Sequence, residues 1–108
     1  MYKFIFTDLI MTDFDQIEDF YLENIKDEKV LINLFSSLHR KVIQLTEMPY
    51  SRALLRDDKL SAKGYRALQV KNFLLFYEIN EDYKVIYLHR FLDGRSDWVN
   101  ILKDDIVE

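Results

Sequence analysis

Three apolar runs separated by short polar gaps occupy the second half of the chain and constrain its fold more than any other feature. Residues 65–70 and 84–91 alternate between apolar and polar side chains, and residues 73–79 are almost continuously apolar. Alternation with a period of two is typical of strands, and the gaps between the runs are short enough for hairpin turns. The pattern therefore predicts an antiparallel meander of three strands.

A short strand and two amphipathic helices are predicted before the meander. Residues 2–6 alternate, and apolar residues then recur at helical spacing on both sides of a polar turn at residues 24–29. Thr7 is a predicted helix N-cap, and Pro49 requires the second helix to end before it. The apolar stripes are Ile10, Phe14, Ile17 and Tyr21 in the first helix and Leu31, Leu34, Phe35, Leu38, Val42 and Leu45 in the second. Together they predict a helical hairpin that needs a sheet to cover it.

The predicted order is β-α-α-β-β-β followed by a short C-terminal helix. Asp93-Gly94 ends the last strand, and Ser96 is a candidate cap for a closing helix. Residues 50–64 show weak periodicity and are expected to be irregular. We therefore expect an α+β fold, in which the helical hairpin packs on one face of a small, mainly antiparallel sheet and leaves the other face partly open.

Length and composition set further bounds. The 108 residues fit one domain spanning residues 1–108. The chain has no cysteine, which excludes disulfides and thiolate chemistry. No apolar run approaches the roughly 18 residues needed to span a membrane, and the N-terminus lacks the features of a signal peptide. A cytoplasmic protein is expected.

The charge is unevenly distributed. The net charge of −4 argues against a general nucleic-acid binder. Residues 49–71, however, carry six basic and two acidic side chains. This segment predicts a local positive patch that attracts a partner, with a solvated loop as the alternative.

Three arginines are candidate functional residues. Arg66 and Arg90 each lie at one end of a predicted strand face that is otherwise apolar. Arg95 follows the turn after the last strand. The predicted neighbours on the same face are Leu68 and Val70 for Arg66, and Ile86 and Leu88 for Arg90. Guanidinium groups in such positions bind phosphate or carboxylate; the alternative is pairing with a nearby Asp or Glu. We expect all three at one mouth of the open sheet face, with little loss of stability when each is replaced by alanine.

The two histidines are less informative. His89 falls on the opposite strand face from Arg90, near the open end, where an imidazole can act as acid or base near neutral pH. His39 lies near the polar side of the second helix and indicates no function. They share no metal-ligand spacing, so neither a metal nor another cofactor is expected. Glu78 also falls on a strand, where a lone glutamate is typical of a cross-strand ion pair.

Several short motifs in the second half follow one another in a specific order. They are Pro49-Tyr50-Ser51, Lys63-Gly64-Tyr65-Arg66 with Leu68 and Val70, Phe76-Tyr77, Arg90-Phe91, and Gly94-Arg95 with Asp97 and Leu102. In this order they resemble the RelE/ParE superfamily of bacterial type II toxins, which includes plasmid stabilisation proteins. The resemblance implies the fold described above, with the first strand joining the meander. It also implies a toxin that inhibits bacterial growth unless a cognate antitoxin covers it.

Two activities occur on that fold. RelE-like members cut mRNA in the ribosomal A site, using basic residues on the sheet and often a C-terminal Tyr or His. ParE-like members inhibit DNA gyrase and are not enzymes. In this chain Leu74 stands where RelE-like enzymes commonly carry an arginine, and Trp98 is the only aromatic residue after Arg95. The resemblance therefore slightly favours a gyrase inhibitor.

A ribosome-dependent mRNA endoribonuclease is the alternative. It is favoured if His89 and Arg90 converge with Lys63 and Arg66, because cleavage needs a base, an acid and cations for the developing charge. A third hypothesis is an inactive relative that acts as a binding module. The resemblance implies a cognate antitoxin as partner, with gyrase or the ribosome as target, and no membrane or small-molecule substrate.

Overall fold

Residues 1–106, which the computed structural model describes, form four strands and four α-helices. Residues 107 and 108 of the predicted domain lie outside the described part. In chain order the elements are β1 Lys3–Phe6, α1 Asp8–Phe20, α2 Glu28–Glu47, α3 Asp58–Lys63, β2 Arg66–Val70, β3 Phe73–Asn80, β4 Val85–Asp93 and α4 Trp98–Asp105. A π-helical turn at Tyr21–Ile25 extends α1, and a 3-10 turn at Pro49–Ser51 follows α2. The predicted order is confirmed, and α3 is an addition to it.

The four strands form one sheet in the order β1-β4-β3-β2. β2, β3 and β4 are antiparallel neighbours, which confirms the predicted meander. β1 joins β4 in parallel, with Lys3 opposite Val85 and Phe6 opposite Leu88. The first and last strands of residues 1–106 are therefore adjacent in the sheet.

Capping residues define the helical hairpin. The Thr7 hydroxyl oxygen accepts a hydrogen bond from the Ile10 amide at 3.2 Å, which confirms the predicted N-cap of α1. The same hydroxyl donates to the carbonyl oxygen of His89 at 2.9 Å. Asp27 caps α2 by accepting from the Lys29 amide at 3.0 Å. α2 ends at Glu47, before Pro49, as predicted.

The helical hairpin covers one face of the sheet. Its buried residues pack against the inward-facing residues of all four strands. Phenylalanine rings meet edge to face between the two helices and between α1 and β4. The buried members of this core are Ile10, Leu34, Leu38, Val42, Leu45, Leu68, Val70, Phe73, Leu75, Tyr77, Ile86, Leu88 and Phe91. Burial of this joint apolar surface is the main force that holds the hairpin on the sheet.

The opposite face is covered at one end by α3 and α4. A second core forms there from Leu60, Tyr65, Phe76 and Leu102, all buried. The prediction that residues 50–64 are irregular is wrong for α3, which Asp57 caps at its start and Gly64 ends with a φ of 94°. α3 buries only one large side chain, so it has no apolar stripe that a periodicity could detect.

The N-cap of the closing helix lies one residue after the predicted cap, Ser96. Asp97 occupies the N-cap position of α4, and the Ser96 hydroxyl instead donates to the carbonyl oxygen of Asp93 at 2.6 Å. α4 is longer than one turn because Leu102 is fully buried against the second core.

A β-bulge interrupts the alternation of β4. Phe76 pairs with Arg90 and Tyr77 pairs with Leu88, so that His89 is an extra residue in the ladder. The predictions that Arg90 shares a face with Ile86 and Leu88, and that His89 lies on the opposite face from Arg90, are therefore wrong. Phe91 follows Leu88 into the first core instead, and Arg90 takes the side of Phe76.

No helix within residues 1–106 is long and apolar enough to cross a membrane.

Glu81 ties the turn between β3 and β4 to two distant segments. Its carboxylate accepts hydrogen bonds from the Lys84 ammonium at 2.7 Å, the Tyr2 hydroxyl at 2.5 Å and the Tyr50 hydroxyl at 3.0 Å. The Lys84 and Tyr2 hydrogen bonds are the main causes that lower the pKa of Glu81 to about 2.

This network predicts a specific pH dependence of stability. A carboxyl whose pKa is lower in the folded chain stabilises the fold above its unfolded pKa, and this contribution is lost as the pH falls through the folded pKa. For Glu81 the window runs from its ordinary pKa of 4.5 down to about 2. We expect Glu81→Gln to lose less stability than the wild type across that window, measured as melting temperature against pH. Asp82→Asn, at an exposed neighbour, is the control; curves that stay parallel for Glu81→Gln would contradict the network.

Candidate functional site

The uncovered end of the sheet brings together Lys63, Glu78 and His89. Lys63 ends α3, Glu78 lies on β3, and His89 is the bulge residue of β4. The Lys63 ammonium nitrogen lies 3.7 Å from one Glu78 carboxylate oxygen, and His89 Nε2 lies 3.3 Å from the other. The Glu78 and His89 side chains are only 19% and 22% exposed, respectively. One carboxylate thus links two basic groups on a partly solvated surface.

Aromatic rings surround the imidazole of His89. The ring of Tyr65 is centred 5.1 Å away and that of Tyr87 is 6.3 Å away. Burial is the first cause that raises the pKa of Tyr65 to about 12, so its hydroxyl stays protonated at neutral pH. A depression of about 420 Å³ opens beside these residues, lined by Lys63, Glu78 and Tyr87 among others. The arrangement offers a proton donor or acceptor, a cation and ring faces to a ligand.

Arg90 forms ion pairs with two carboxylates. It donates through Nε and Nη2 to Asp13 of α1 at 2.8 and 2.9 Å, and through Nη1 to Asp105 of α4 at 2.9 Å. Asp13 also accepts from the Phe91 amide at 2.9 Å and is 4% exposed. These bonds, those to Asp13 first, raise the pKa of Arg90 above its ordinary value. Arg90 therefore joins α1, β4 and α4.

Arg95 is the most accessible of the three predicted arginines. Its side chain is 85% exposed and pairs with Asp93 through Nε at 3.1 Å and Nη2 at 3.0 Å. It stands at the rim of a groove of about 460 Å³ between α1 and the ends of β3 and β4. The apolar lining of this groove includes Ile17, Phe20, Tyr21, Ile25, Phe73 and Phe91.

Arg66 occupies a third environment. As predicted, it shares a strand face with Leu68 and Val70. Its guanidinium group lies 5.1 Å from the ring centre of Tyr50 and donates to the carbonyl oxygen of Arg52.

The expectation that the three arginines share one mouth of the sheet is therefore wrong. Arg90 and Arg95 bind different carboxylates, and Arg66 contacts the segment after α2. The four-residue convergence proposed for an endoribonuclease is met only by Lys63 and His89. The expectation of a small stability loss does not fit Arg90, because its removal leaves the buried Asp13 unpaired. Functional roles remain predictions for all five candidate residues, which are Lys63, Arg66, His89, Arg90 and Arg95.

Asp13 is the organising residue that sequence reasoning missed. In the sequence it is one of several acidic residues along α1, but it lies three residues after Ile10 and four before Ile17. This helical spacing places it beside the apolar stripe, unlike the exposed Asp15. Glu78 was identified as a cross-strand partner by its strand position, and its contact with His89 confirms this. Within the described residues, no three His, Asp or Glu side chains lie close enough together to hold a metal ion.

Comparisons with known proteins agree on one group. The sequence model of a family described as the ParE toxin of the type II toxin-antitoxin system parDE matches residues 4–98. A solved structure of the chromosomal ParDE system from P. aeruginosa is 22% identical with a TM-score of 0.67, and covers 86% of this chain and 96% of its own. The RelBE2 toxin-antitoxin complex from Mycobacterium tuberculosis is 15% identical with a TM-score of 0.60, and covers 85% and 96%. A search of curated protein sequences found no match.

Proposed function

Since this chain belongs to the family of ParE toxins of type II toxin-antitoxin systems, we propose that it arrests bacterial growth by binding DNA gyrase, without catalysing a reaction. The observation that carries this choice is the fixed position of Arg90. Both edges of its guanidinium group are occupied by Asp13 and Asp105. An arginine held in this way stabilises the fold and is not free to neutralise a phosphate during cleavage.

We further propose that a cognate antitoxin covers the groove beside the helical hairpin. Phe20 and Ile25 at its border are 56% and 45% exposed, a large apolar exposure for a small protein. Arg95 at the rim offers a charged group to an acidic residue of the same partner. A helix with apolar residues on one face fits such a groove.

Growth arrest and loss of supercoiling are the expected results. Expression of the wild-type chain without an antitoxin should stop bacterial growth, and the purified protein should inhibit supercoiling by gyrase while leaving ribosome-bound mRNA intact. Viable counts, a plasmid supercoiling assay and mapping of mRNA ends in a translating extract measure the three outcomes. Normal growth at confirmed soluble expression would favour an inactive relative that acts as a binding module.

A ribosome-dependent mRNA endoribonuclease is the second candidate. The specific observation in its favour is the contact of His89 and Lys63 with Glu78 next to two tyrosine rings. On this hypothesis His89 would exchange the proton of the attacking ribose hydroxyl and Lys63 would stabilise the developing charge. Codon-specific cuts that disappear with His89→Ala and persist with the matched control His39→Ala would replace the gyrase proposal.

A further inference from the structure

The two edges of the sheet differ in how their backbone groups are used. β2 lies at one edge, where Leu54 forms an antiparallel bridge with Arg66. The Lys41 ammonium group also donates to the carbonyl oxygen of Gln69 in β2 at 2.8 Å. β1 lies at the other edge and carries a single charged residue, with neither a proline nor a bulge. It therefore lacks most of the features that prevent a free edge strand from pairing.

The outward backbone groups of β1 belong to Phe4 and Phe6. The amides of Lys3 and Thr7 donate to β4 and to the turn before it, at 2.9 and 3.2 Å. Alternate residues of a strand face the same neighbour, so the amide and carbonyl groups of Phe4 and Phe6 point away from β4. Within residues 1–106, neither of these two amides donates to a group beyond the outer side of β1.

Apolar side chains are exposed at the same edge. Ile5 is 47% exposed on the open face of the sheet, and Phe6 is 42% exposed. The rings of Phe4 and Phe6 are centred 5.6 Å apart, and they line a depression of about 150 Å³ together with residues of α1 and α2. Hydrogen-bonding groups and apolar surface thus lie together on β1, which suits a partner that adds a strand to the sheet.

We propose that β1 is a self-association site, at which two copies of this chain pair antiparallel about a two-fold axis and join their sheets into one continuous sheet. An antiparallel pair of identical strands is self-complementary, so the same edge serves both copies. The site is separate from the groove of Arg95 beside the hairpin, and the proposal goes beyond gyrase inhibition and does not depend on it.

The free backbone groups select the register of this pair. With Ile5 of each copy on the axis, Phe4 of one copy lies opposite Phe6 of the other. Each such pair exchanges two hydrogen bonds, so the outward groups of both residues are used in both copies. A register centred on Phe4 would place Phe6 opposite Tyr2, whose amide already donates to the carbonyl oxygen of Thr46 at 3.0 Å.

Charge complementarity favours a second copy as the occupant. In the register centred on Ile5, Lys3 of one copy lies opposite Thr7 of the other and next to its Asp8. Lys3 and Asp8 are exposed, and within residues 1–106 neither forms an ion pair. The two-fold axis generates two equivalent pairs of Lys3 with Asp8, one at each end of the paired strands.

The test is sedimentation velocity across a concentration series. Because β1 is only four residues long, we expect weak dimerisation of the wild-type protein, with a dissociation constant of about 10–100 µM. Ile5→Lys places like charges opposite each other on the axis and should raise this constant at least about tenfold. Ile5→Glu should do the same, whereas an equimolar mixture of the two variants should dimerise because opposite charges then meet.

Leu54→Lys is the matched control. Leu54 is 43% exposed beside β2 at the opposite edge of the sheet, so this variant introduces the same charge at a similarly exposed apolar residue. It should dimerise like the wild type. Loss of the dimer in Leu54→Lys but not in Ile5→Lys would place the interface at β2 and overturn the proposal.

Amide hydrogen exchange of the wild-type protein tests the same site without any substitution. The amides of Phe4 and Phe6 should exchange more slowly as the protein concentration rises. Those of Lys3 and Thr7 already have acceptors within each copy, so their exchange should not depend on concentration. The proposal is overturned by a wild-type protein that stays monomeric up to about 1 mM, by a mixture of the Ile5 variants that stays monomeric, or by exchange of Phe4 and Phe6 that is independent of concentration.

Discussion

Asp13→Ala should lower the free energy of unfolding by about 3–5 kcal/mol, the cost of breaking a buried ion pair by removing one partner. Asp13 is 4% exposed and accepts from both Arg90 and the Phe91 amide. β1 covers β4 only as far as Leu88. Beyond Leu88 there is no β1 residue to accept a hydrogen bond from β4, and the Phe91 amide donates to the Asp13 carboxylate instead. Its loss leaves the Nε and Nη2 groups of Arg90 and the Phe91 amide without their partner, while Nη1 keeps Asp105. Urea denaturation would detect the loss of stability.

Asp15→Ala is the matched control, because Asp15 is exposed two residues further along α1. We expect this control to stay within about 0.5 kcal/mol of the wild type. Equal unfolding free energies for the two variants would contradict a stabilising role for the Asp13 and Arg90 network.

Phe76→Ala should cost about 3–5 kcal/mol, the usual loss when a buried phenylalanine is truncated. Phe76 is fully buried on β3, and its ring centre lies 5.1 Å from that of Trp98 on α4. The cavity would open in the core that holds α4 on the sheet. Trp98 is the only tryptophan, so its fluorescence emission should shift to longer wavelength as α4 loosens.

Phe20→Ala provides the comparison for this truncation. Phe20 is 56% exposed beside the groove, so removing its ring creates no internal cavity. We expect a small stability change and unaltered Trp98 emission. A Phe76→Ala variant with wild-type emission and stability would show that α4 does not depend on this core.

The regular elements were predictable because their side chains repeat with a clear period. The stripes of α1 and α2 and the runs of β2 to β4 are long enough to reveal their periodicity. α3 was not predictable, because it is a single short helix that buries only Leu60. Its cap Asp57 and terminator Gly64 are common in loops as well.

The candidate site was predictable only as far as strand alternation held. Alternation of side chains along the regular part of β4 predicted the correct face for His89, next to Tyr87. At the next residue the bulge shifts the alternation by one position, so that Arg90 lies on the face of Phe76 and not on that of Leu88. A bulge depends on how two strands pair, and it cannot be predicted from the residue type of Arg90 alone. The partners of Arg90 lie 77 and 15 residues away along the chain, beyond any local pattern.

The parallel pairing of β1 with β4 sets the timing of folding during synthesis. Residues 3–6 leave the ribosome well before residues 85–88, with which they pair. Such a distant contact forms late because a long loop must close before it is gained. The residues of the helical hairpin are also synthesised before those of the meander. Their apolar side chains therefore have no sheet to pack against until β2 to β4 have been made. A chain released before residue 85 has no partner for β1, so termination before that point yields a product that cannot complete this sheet.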